Sequence, residues 1–339
     1  MDWRVDMSVI YITTQGASLR KQGGRYVVLH QDGELCSVPQ AAVDGVVLFG
    51  NVQVSTQAVN ELLEQGVAVI YLSRGGVFRG ILQPGYPRNV ELRLAQYEAG
   101  LDEKKAVAIA REIIDAKLKA AEETHDRWAR NGWLASSARE KEIRTLRLGL
   151  ADQVSLDGMR GIEAQAAVLH FDGLAEALPP EVAWNGRNRR PPRDPVNALL
   201  SLTYTMLTGE MVSACYAHGL DPFIGFLHQP CYGRPSLALD LVEPLRPRYG
   251  DHFVLRLLQS ETLQPDDFRH SDEKGCRLNS DRFKVYVEAY QEFLVDARRR
   301  RPSARGAIAA LAREMAATLR TGEPPAFSSL FAEGGAWNT

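Results

Sequence analysis

The sequence predicts an α+β protein, with a small N-terminal β-rich domain followed by a larger all-α C-terminal domain. Three observations carry this. Up to residue 85 apolar residues alternate with the two-residue period of strands. At Leu82 to Asn89 the stretch LQPGYPRN sets two prolines and a glycine together and breaks the pattern. Beyond residue 88 apolar stripes recur at helical spacing. The expected domains are therefore 1–85, β-rich, and 86–339, helical and carrying the chemistry, with a non-periodic tail over 322–339 that need not be ordered.

In chain order, the expected strands are VIYITT from Val9, RYVVLH from Arg25, GELCSV from Gly33, DGVVLFG from Asp44 and GVAVIYLS from Gly66, separated by QGG, QDGE and SRGG turns. One helix interrupts them from Ser55 to Gln65, with Ser55 as N-cap and Gly66 as terminator. The helices expected after the break run over Val90–Ala99, Glu103–Asn131, Ala138–Asp152, Asp157–Leu178, Pro195–His218, Ser236–Glu243 and Ser280–Arg301.

Bulk properties exclude several classes. No apolar run approaches a membrane span, and the acidic, interrupted N-terminus MDWRVDMSVI lacks the core of a secretory signal, so a cytoplasmic location is expected and no membrane partner. The four cysteines are far apart, without a CxxC pair to clamp zinc, and read as reduced thiols. Neither GxxxxGK[ST] nor a strand-anchored GxGxxG is present. A formal charge of −2 gives no global pull on nucleic acid, so such binding would rest on local clusters. Two exist: Arg187, Arg189, Arg190 and Arg193 in NGRNRRPPRD, and Arg298 to Arg301.

The stretch GFLHQPCYGRPSLALDLVEPLRP places His228 12 residues before Asp240 and 15 before Glu243. Leu237, Leu239, Leu241 and Leu245 put both acids in an apolar stretch, where an unpaired carboxylate is costly and a cation would offset the cost. Asp240 and Glu243, three apart on a helix, share a face, and Pro244 disfavours helical geometry at Glu243, which is expected at a helix end or kink. Two readings stand on spacing alone: a divalent-metal site, or a turn histidine with carboxylates paired to Arg234, Arg246 or Arg248. Upstream, DGMRGIEAQAAVLHFDGL puts Glu163 among small residues on one face with Ala167, His170 and Leu174, either approached by another helix or exposed.

The blocks RGIEAQAAVLHF, RDPVNALLSLTYTMLTGEMVSACYAHGLDPFIGFLH and GRPSLALDLVEPLRP resemble, in order and spacing, the signature blocks of the CRISPR-associated adaptation integrase family ("Cas-one"). The N-terminal YITTQGASLRKQGGRYVVL and LFGNVQVSTQAVNELLEQGVAVIYLSRGGVFRGIL resemble that family's β-domain, so the likeness spans nearly the whole chain. By this resemblance Glu163, His228 and Glu243 are the metal ligands and Asp240 a second acidic position counted with the catalytic set. Asn197 and Tyr204 match positions near the active site. The implied activity is a Mg²⁺- or Mn²⁺-dependent DNA endonuclease and integrase that inserts short foreign fragments into a CRISPR array. In it 3′-hydroxyls attack phosphodiesters at the repeat. The implied partners are DNA (fragment and repeat or leader), a second copy of the chain held through the β-domain, and the small "Cas-two" protein, with two dimers flanking a central partner dimer.

An oxygen-rich set with one nitrogen suits those metals, and such an ion can neutralise phosphoryl oxygens. Arg187, Arg189, Arg190 and Arg193 would track a phosphate backbone, with Trp184 stacking on a base and Asn197 and Tyr204 nearby. Two other functions use the same residues differently: a general metal-dependent nuclease on branched or single-stranded DNA, and a non-catalytic DNA-binding scaffold.

Overall fold

The structure, a computed structural model, describes residues 8–76, 78–83, 89–136, 138–188, 191–271, 273, 275–295 and 303–331. The chain divides into two compact units, 1–87 and 88–339.

The first unit holds strands β1 (Ser8–Ile12), β2 (Ser18–Gln22), β3 (Arg25–His30), β4 (Gly33–Pro39), β5 (Val43–Phe49) and β6 (Gln53–Val54), helix α1 (Thr56–Glu64), and strands β7 (Ala68–Leu72) and β8 (Phe78–Leu82). One sheet has the order β1-β5-β7-β8 and the other β4-β3-β2-β6. The alternating sequence predicts strands but not that β1, β5 and β7 run parallel. Parallel neighbours need a crossover, which α1 supplies between β5 and β7. The cost of covering both faces shows in β5, whose VVLF run is buried throughout. Ser55 caps α1 as expected, accepting from the Ala58 N–H at 3.2 Å. Residues of both sheets and α1 share one core: Ile10, Ile12, Leu19, Tyr26, Val28, Val46, Leu48, Leu62 and Val69. Strands β2, β6 and β8 lie outside the expected set. β2 reads SLRKQ, with three exposed polar residues, and β6 has only two residues, so neither carries a visible period.

The second unit contains α2 (Val90–Leu101), α3 (Glu103–Arg130), α4 (Ala138–Leu148), α5 (Leu156–Ala177), α6 (Pro195–Ala217), α7 (Ser236–Val242), α8 (His252–Gln259), a two-stranded hairpin of β9 (Phe268–Arg269) and β10 (Arg277–Leu278), α9 (Ser280–Val295) and α10 (Ala304–Thr321). Capping fixes their starts: Asp102 for α3, Ser155 for α5, Asp194 for α6 and Ser303 for α10 each accept from a backbone N–H in the first turn. Helix α4 ends at Leu148 and passes into a 3₁₀ turn over Gly149–Asp152, so the single helix expected there is two elements. α3 is the long central helix, packed against α2, α4 and α5 and, through its middle, against the segment after α7.

In that segment Glu243 sits at a helix end, as the following proline leads one to expect: α7 stops at Val242 with Glu243 as its C-cap. Glu243 keeps right-handed helical dihedrals (φ −53°, ψ −47°) despite the proline after it. The missing Pro244 N–H falls where α7 ends, and the path resumes as a π-helical turn over Arg246–Asp251 that runs into α8. The wide turn swings Arg246 back beside Glu243 and sends Asp251 toward α6. The tail is anchored as far as it is described. Phe327 is fully buried, Ser328 Oγ donates to Asp115 on α3, and Lys119 donates to the Ser328 carbonyl at 3.0 Å. Residues 332–339 and the run Arg298 to Arg301 lie outside the described residues. No described helix is long and apolar enough to cross a membrane.

Candidate metal and nucleic-acid site

Three elements deliver the expected ligands. Glu163 projects from the second turn of α5, His228 from the loop before α7, and Glu243 from the end of α7. Glu243 is 2% exposed, Glu163 23% and His228 30%. His228 Nε2 lies 4.0 Å from Glu243 Oε1. Both carboxylates converge on one cation from α3: Lys117 Nζ pairs with Glu163 and lies 2.7 Å from Glu243 Oε2. Arg246 closes the other side of Glu243 at 2.6 Å. Burial alone would raise the Glu243 carboxyl, but Arg246 and Lys117 outweigh it and hold the group down at about 2. Burial likewise opposes the charge on Lys117, and Glu243 and Glu163 more than restore it.

Asp240 does something other than face the carboxylate pair. It is fully buried, and its two oxygens accept from the N–H groups of Phe226 (2.6 Å), Leu227 (3.0 Å) and His228 (2.8 Å) and from His228 Nδ1 at 2.7 Å. Asp240, the second acidic position counted with the catalytic set, spends its lone pairs on this loop and holds the histidine ring. An acceptor at Nδ1 fixes the proton there and leaves the Nε2 lone pair on the side of Glu243. Burial pushes the Asp240 carboxyl up, opposed by these hydrogen bonds.

The loop passes so close to α7 that Gly225 is required. A Cβ there would meet the Ser236 carbonyl carbon at 2.7 Å, Asp240 Oδ2 at 2.8 Å and the His228 carbonyl at 2.9 Å, and two of these are backbone atoms. Gly225→Ala is expected to destabilise the helical unit by about 1–3 kcal/mol and to loosen His228. Thermal melting checks the first effect and His228 NMR line shape the second.

Behind the carboxylates a buried polar chain runs inward. The Tyr204 ring lies under Arg246 (4.7 Å) and Arg187 (5.4 Å), and its hydroxyl donates to Asp251, which also accepts from His170 Nε2 at 2.8 Å. His170 Nδ1 meets His125 Nε2 at 3.2 Å. Burial, with help from His170 and Arg139, drives the His125 imidazole down to about 3, so it is neutral near pH 7. His170 and His252 are both buried, and His252 Nδ1 accepts from Trp128 Nε1 at 3.1 Å.

Of the expected DNA contacts, Asn197 and Tyr204 are buried, so neither presents a surface for phosphate or for stacking. Asn197 instead pins the basic loop: its Oδ1 accepts from Arg187 (2.7 Å) and the Asn188 N–H (3.0 Å), and its Nδ2 donates to the Gly186 carbonyl and to Asp194. Asp194 caps α6, accepting from the Asn197 N–H. Arg187 turns inward to Asn197 and Ser201, Trp184 is half-buried edge-on to Phe171, and Arg193 is exposed. Arg189 and Arg190 lie outside the described residues. The loop also meets the β9–β10 hairpin, whose neighbouring Cys276 N–H donates to the Pro192 carbonyl at 2.7 Å.

Among the alternative partners, Arg246 does bind Glu243, whereas Arg234 reaches the Gln229 carbonyl and Arg248 pairs with Glu123. Lys117 is the residue that motif reading misses. Its signal is a charge on the apolar stripe of α3, four residues after Ile113 and four before Ala121. Among the described residues no three His, Cys, Asp or Glu side chains are gathered closely enough to hold a metal as they stand, and at this cluster the Lys117 ammonium lies between the two carboxylates. The donor set still fits a divalent ion. Two carboxylates already turned on one cation, with an imidazole nitrogen alongside, match an oxygen-rich Mg²⁺ or Mn²⁺ site.

The family described as CRISPR associated protein Cas1 has a sequence model that matches residues 10–292. A relative from Methanospirillum hungatei JF-1, named CRISPR-associated endonuclease Cas1 4, is 39% identical over 290 residues, covering 84% of this chain and 79% of its own. The fold is similar to that of a casposase bound to integration product (TM-score 0.81, 23% identity, 96% of this chain and 95% of that one). It is also similar to a chain of a Cas6-RT-Cas1–Cas2 complex (TM-score 0.77, 20% identity, 98% of this chain and 36% of that one). With the three family blocks folding onto one carboxylate and histidine cluster, and a relative this similar along most of its length, the chain belongs to the CRISPR-associated Cas1 family.

Proposed function

We propose that this protein is a metal-dependent DNA integrase and endonuclease that inserts short DNA fragments into a CRISPR array together with the small Cas2 protein. The observation that carries the reading is the convergence of Glu163 and Glu243 on one cation position, with His228, held by Asp240, placing its Nε2 4.0 Å from the second oxygen of Glu243. The relative's endonuclease name, and likeness to a casposase with its integration product and to a Cas1–Cas2 assembly, support the substrate and partner.

Glu163, Glu243 and His228 would hold the ion. Bound there, Mg²⁺ or Mn²⁺ would neutralise charge on the phosphoryl oxygens and favour deprotonation of the attacking hydroxyl. In the exchange, the fragment's 3′-oxygen bonds to phosphorus as one phosphorus–oxygen bond of the repeat breaks. The hydroxyl proton passes to the departing oxygen through solvent. One phosphodiester replaces another, consistent with a chain lacking a nucleotide-binding loop. Arg193, with Arg189 and Arg190, would track the DNA backbone. The N-terminal unit would join two copies, and two such dimers would flank a Cas2 dimer.

A strand-transfer assay with purified protein, Cas2, Mn²⁺ and a fragment bearing a 3′-hydroxyl tests the reaction. Joined product is expected with the free hydroxyl and none with a 3′-blocked fragment. Product from the blocked fragment would overturn the hydroxyl-attack chemistry.

A further inference from the structure

The feature left unused by this reading is the lysine at its centre. Lys117 rises from the middle of a 28-residue helix whose neighbouring positions Ile113, Ile114, Ala116, Leu118, Ala120 and Ala121 are all buried. A lysine on such a face is expensive unless its charge is matched. Here it is matched twice over, by Glu163 from α5 and by Glu243 from the end of α7. Its side chain is 17% exposed and ends a flexible stem, whereas Arg246, the other cation on Glu243, is 15% exposed and is held over the Tyr204 ring at 4.7 Å.

We infer that Lys117 is a positioning residue with a second action: it holds Glu163 and Glu243 facing each other as an internal cation, and it yields its place when a divalent ion binds. The inference rests on the metal-site reading above. Two physical facts drive it. Without a cation between them, two carboxylates from different helices repel, so the ligand geometry would open. An ammonium and a divalent ion on the same oxygens compete, and the lysine's flexible four-carbon stem lets its head swing out while its root stays in α3. The lysine therefore pre-forms the site and lowers its apparent metal affinity. Retention of the pair by ammonium keeps α5 and α7 docked in the metal-free protein, and release couples metal loading to a free lysine head beside the DNA.

Lys117→Met keeps the stem and removes the charge. Titrating the full-length protein with Mn²⁺ alone in a calorimeter is expected to give binding about tenfold tighter in Lys117→Met than in wild type. The melting temperature without metal is expected to fall, and the rise produced by Mn²⁺ to grow. Lys117→Arg, which keeps a competing cation, is expected to bind no more tightly than wild type. A merely structural lysine would weaken binding when removed or leave it unchanged, and either result overturns the inference. Should Lys117→Met not fold, the wild-type protein answers alone: with ¹⁵N-lysine labelling, Mg²⁺ is expected to shift the Lys117 Nζ resonance toward that of a solvated ammonium. An unmoved resonance in protein that binds Mg²⁺ overturns the inference. No Mn²⁺ binding by wild type at all would instead bring down the metal-site reading itself.

Discussion

Glu243→Ala is expected to abolish strand transfer and also to destabilise the helical unit by about 3–5 kcal/mol, a drop of roughly 10 °C in melting temperature. The second effect separates it from the other ligands. Glu243 is 2% exposed and is paired to both Lys117 and Arg246. Removing it leaves Arg246 without its carboxylate partner and Lys117 with Glu163 alone, a costly way to break a buried ion pair. Glu163 is partly open to water and, among the described residues, is ion-paired with Lys117, so Glu163→Gln should lose activity equally while melting within about 1 kcal/mol of wild type. Circular-dichroism melts beside the joining assay check both. The same ion pairs set a pH dependence. The folded-state value of Glu243 is about 2 against 4.5 for an ordinary glutamate, so its contribution is complete above pH 4.5 and disappears as pH falls toward 2. Glu243→Gln should flatten that part of the acid denaturation curve.

Asp240→Ala is the second large effect. It deletes the acceptor of four hydrogen bonds, leaving the N–H groups of Phe226, Leu227 and His228 and the His228 ring unsatisfied around a cavity. The expected cost is about 2–4 kcal/mol in stability, with metal affinity falling about 10–100-fold as His228 loses its fixed tautomer. Asp240→Asn should keep most of the packing and still lose affinity, because an amide cannot accept all four donors. Equal affinity in Asp240→Asn and wild type would show that His228 does not need this orientation.

How far the sequence reveals this site depends on the kind of signal each residue leaves. Glu163, Asp240 and Glu243 stand out as acids in apolar or small-residue surroundings, and the order of the blocks around them carries the family likeness. What they do is less visible. Asp240 and Glu243 share a helix face by spacing, yet one turns to a loop and the other to α3, a division made by the close approach at Gly225. Lys117 lies 46 residues from Glu163 and leaves only a charge on an apolar stripe, which spacing rules do not connect to any motif. The β-rich and helical halves are legible because their periods differ. The crossover of β1, β5 and β7 is not, since alternation says nothing of strand order. Helix α8 is hidden by Pro244 and Pro247, which read as a break and are absorbed by a π-helical turn. Helix α10, outside the expected set, follows an arginine run, yet it carries an apolar stripe through Ile308, Leu311, Met315 and Leu319 between Ser303 at its start and Gly322 at its end.

The central claim is that Glu163, His228 and Glu243 together hold one divalent ion. Crystals grown with Mn²⁺ and measured at the manganese absorption edge test it most directly. One anomalous peak is expected with a carboxylate oxygen of Glu163, one of Glu243 and Nε2 of His228 each at about 2.0–2.2 Å, and with the Lys117 ammonium turned away. A peak elsewhere, or none at this cluster in protein that still joins DNA, would contradict it.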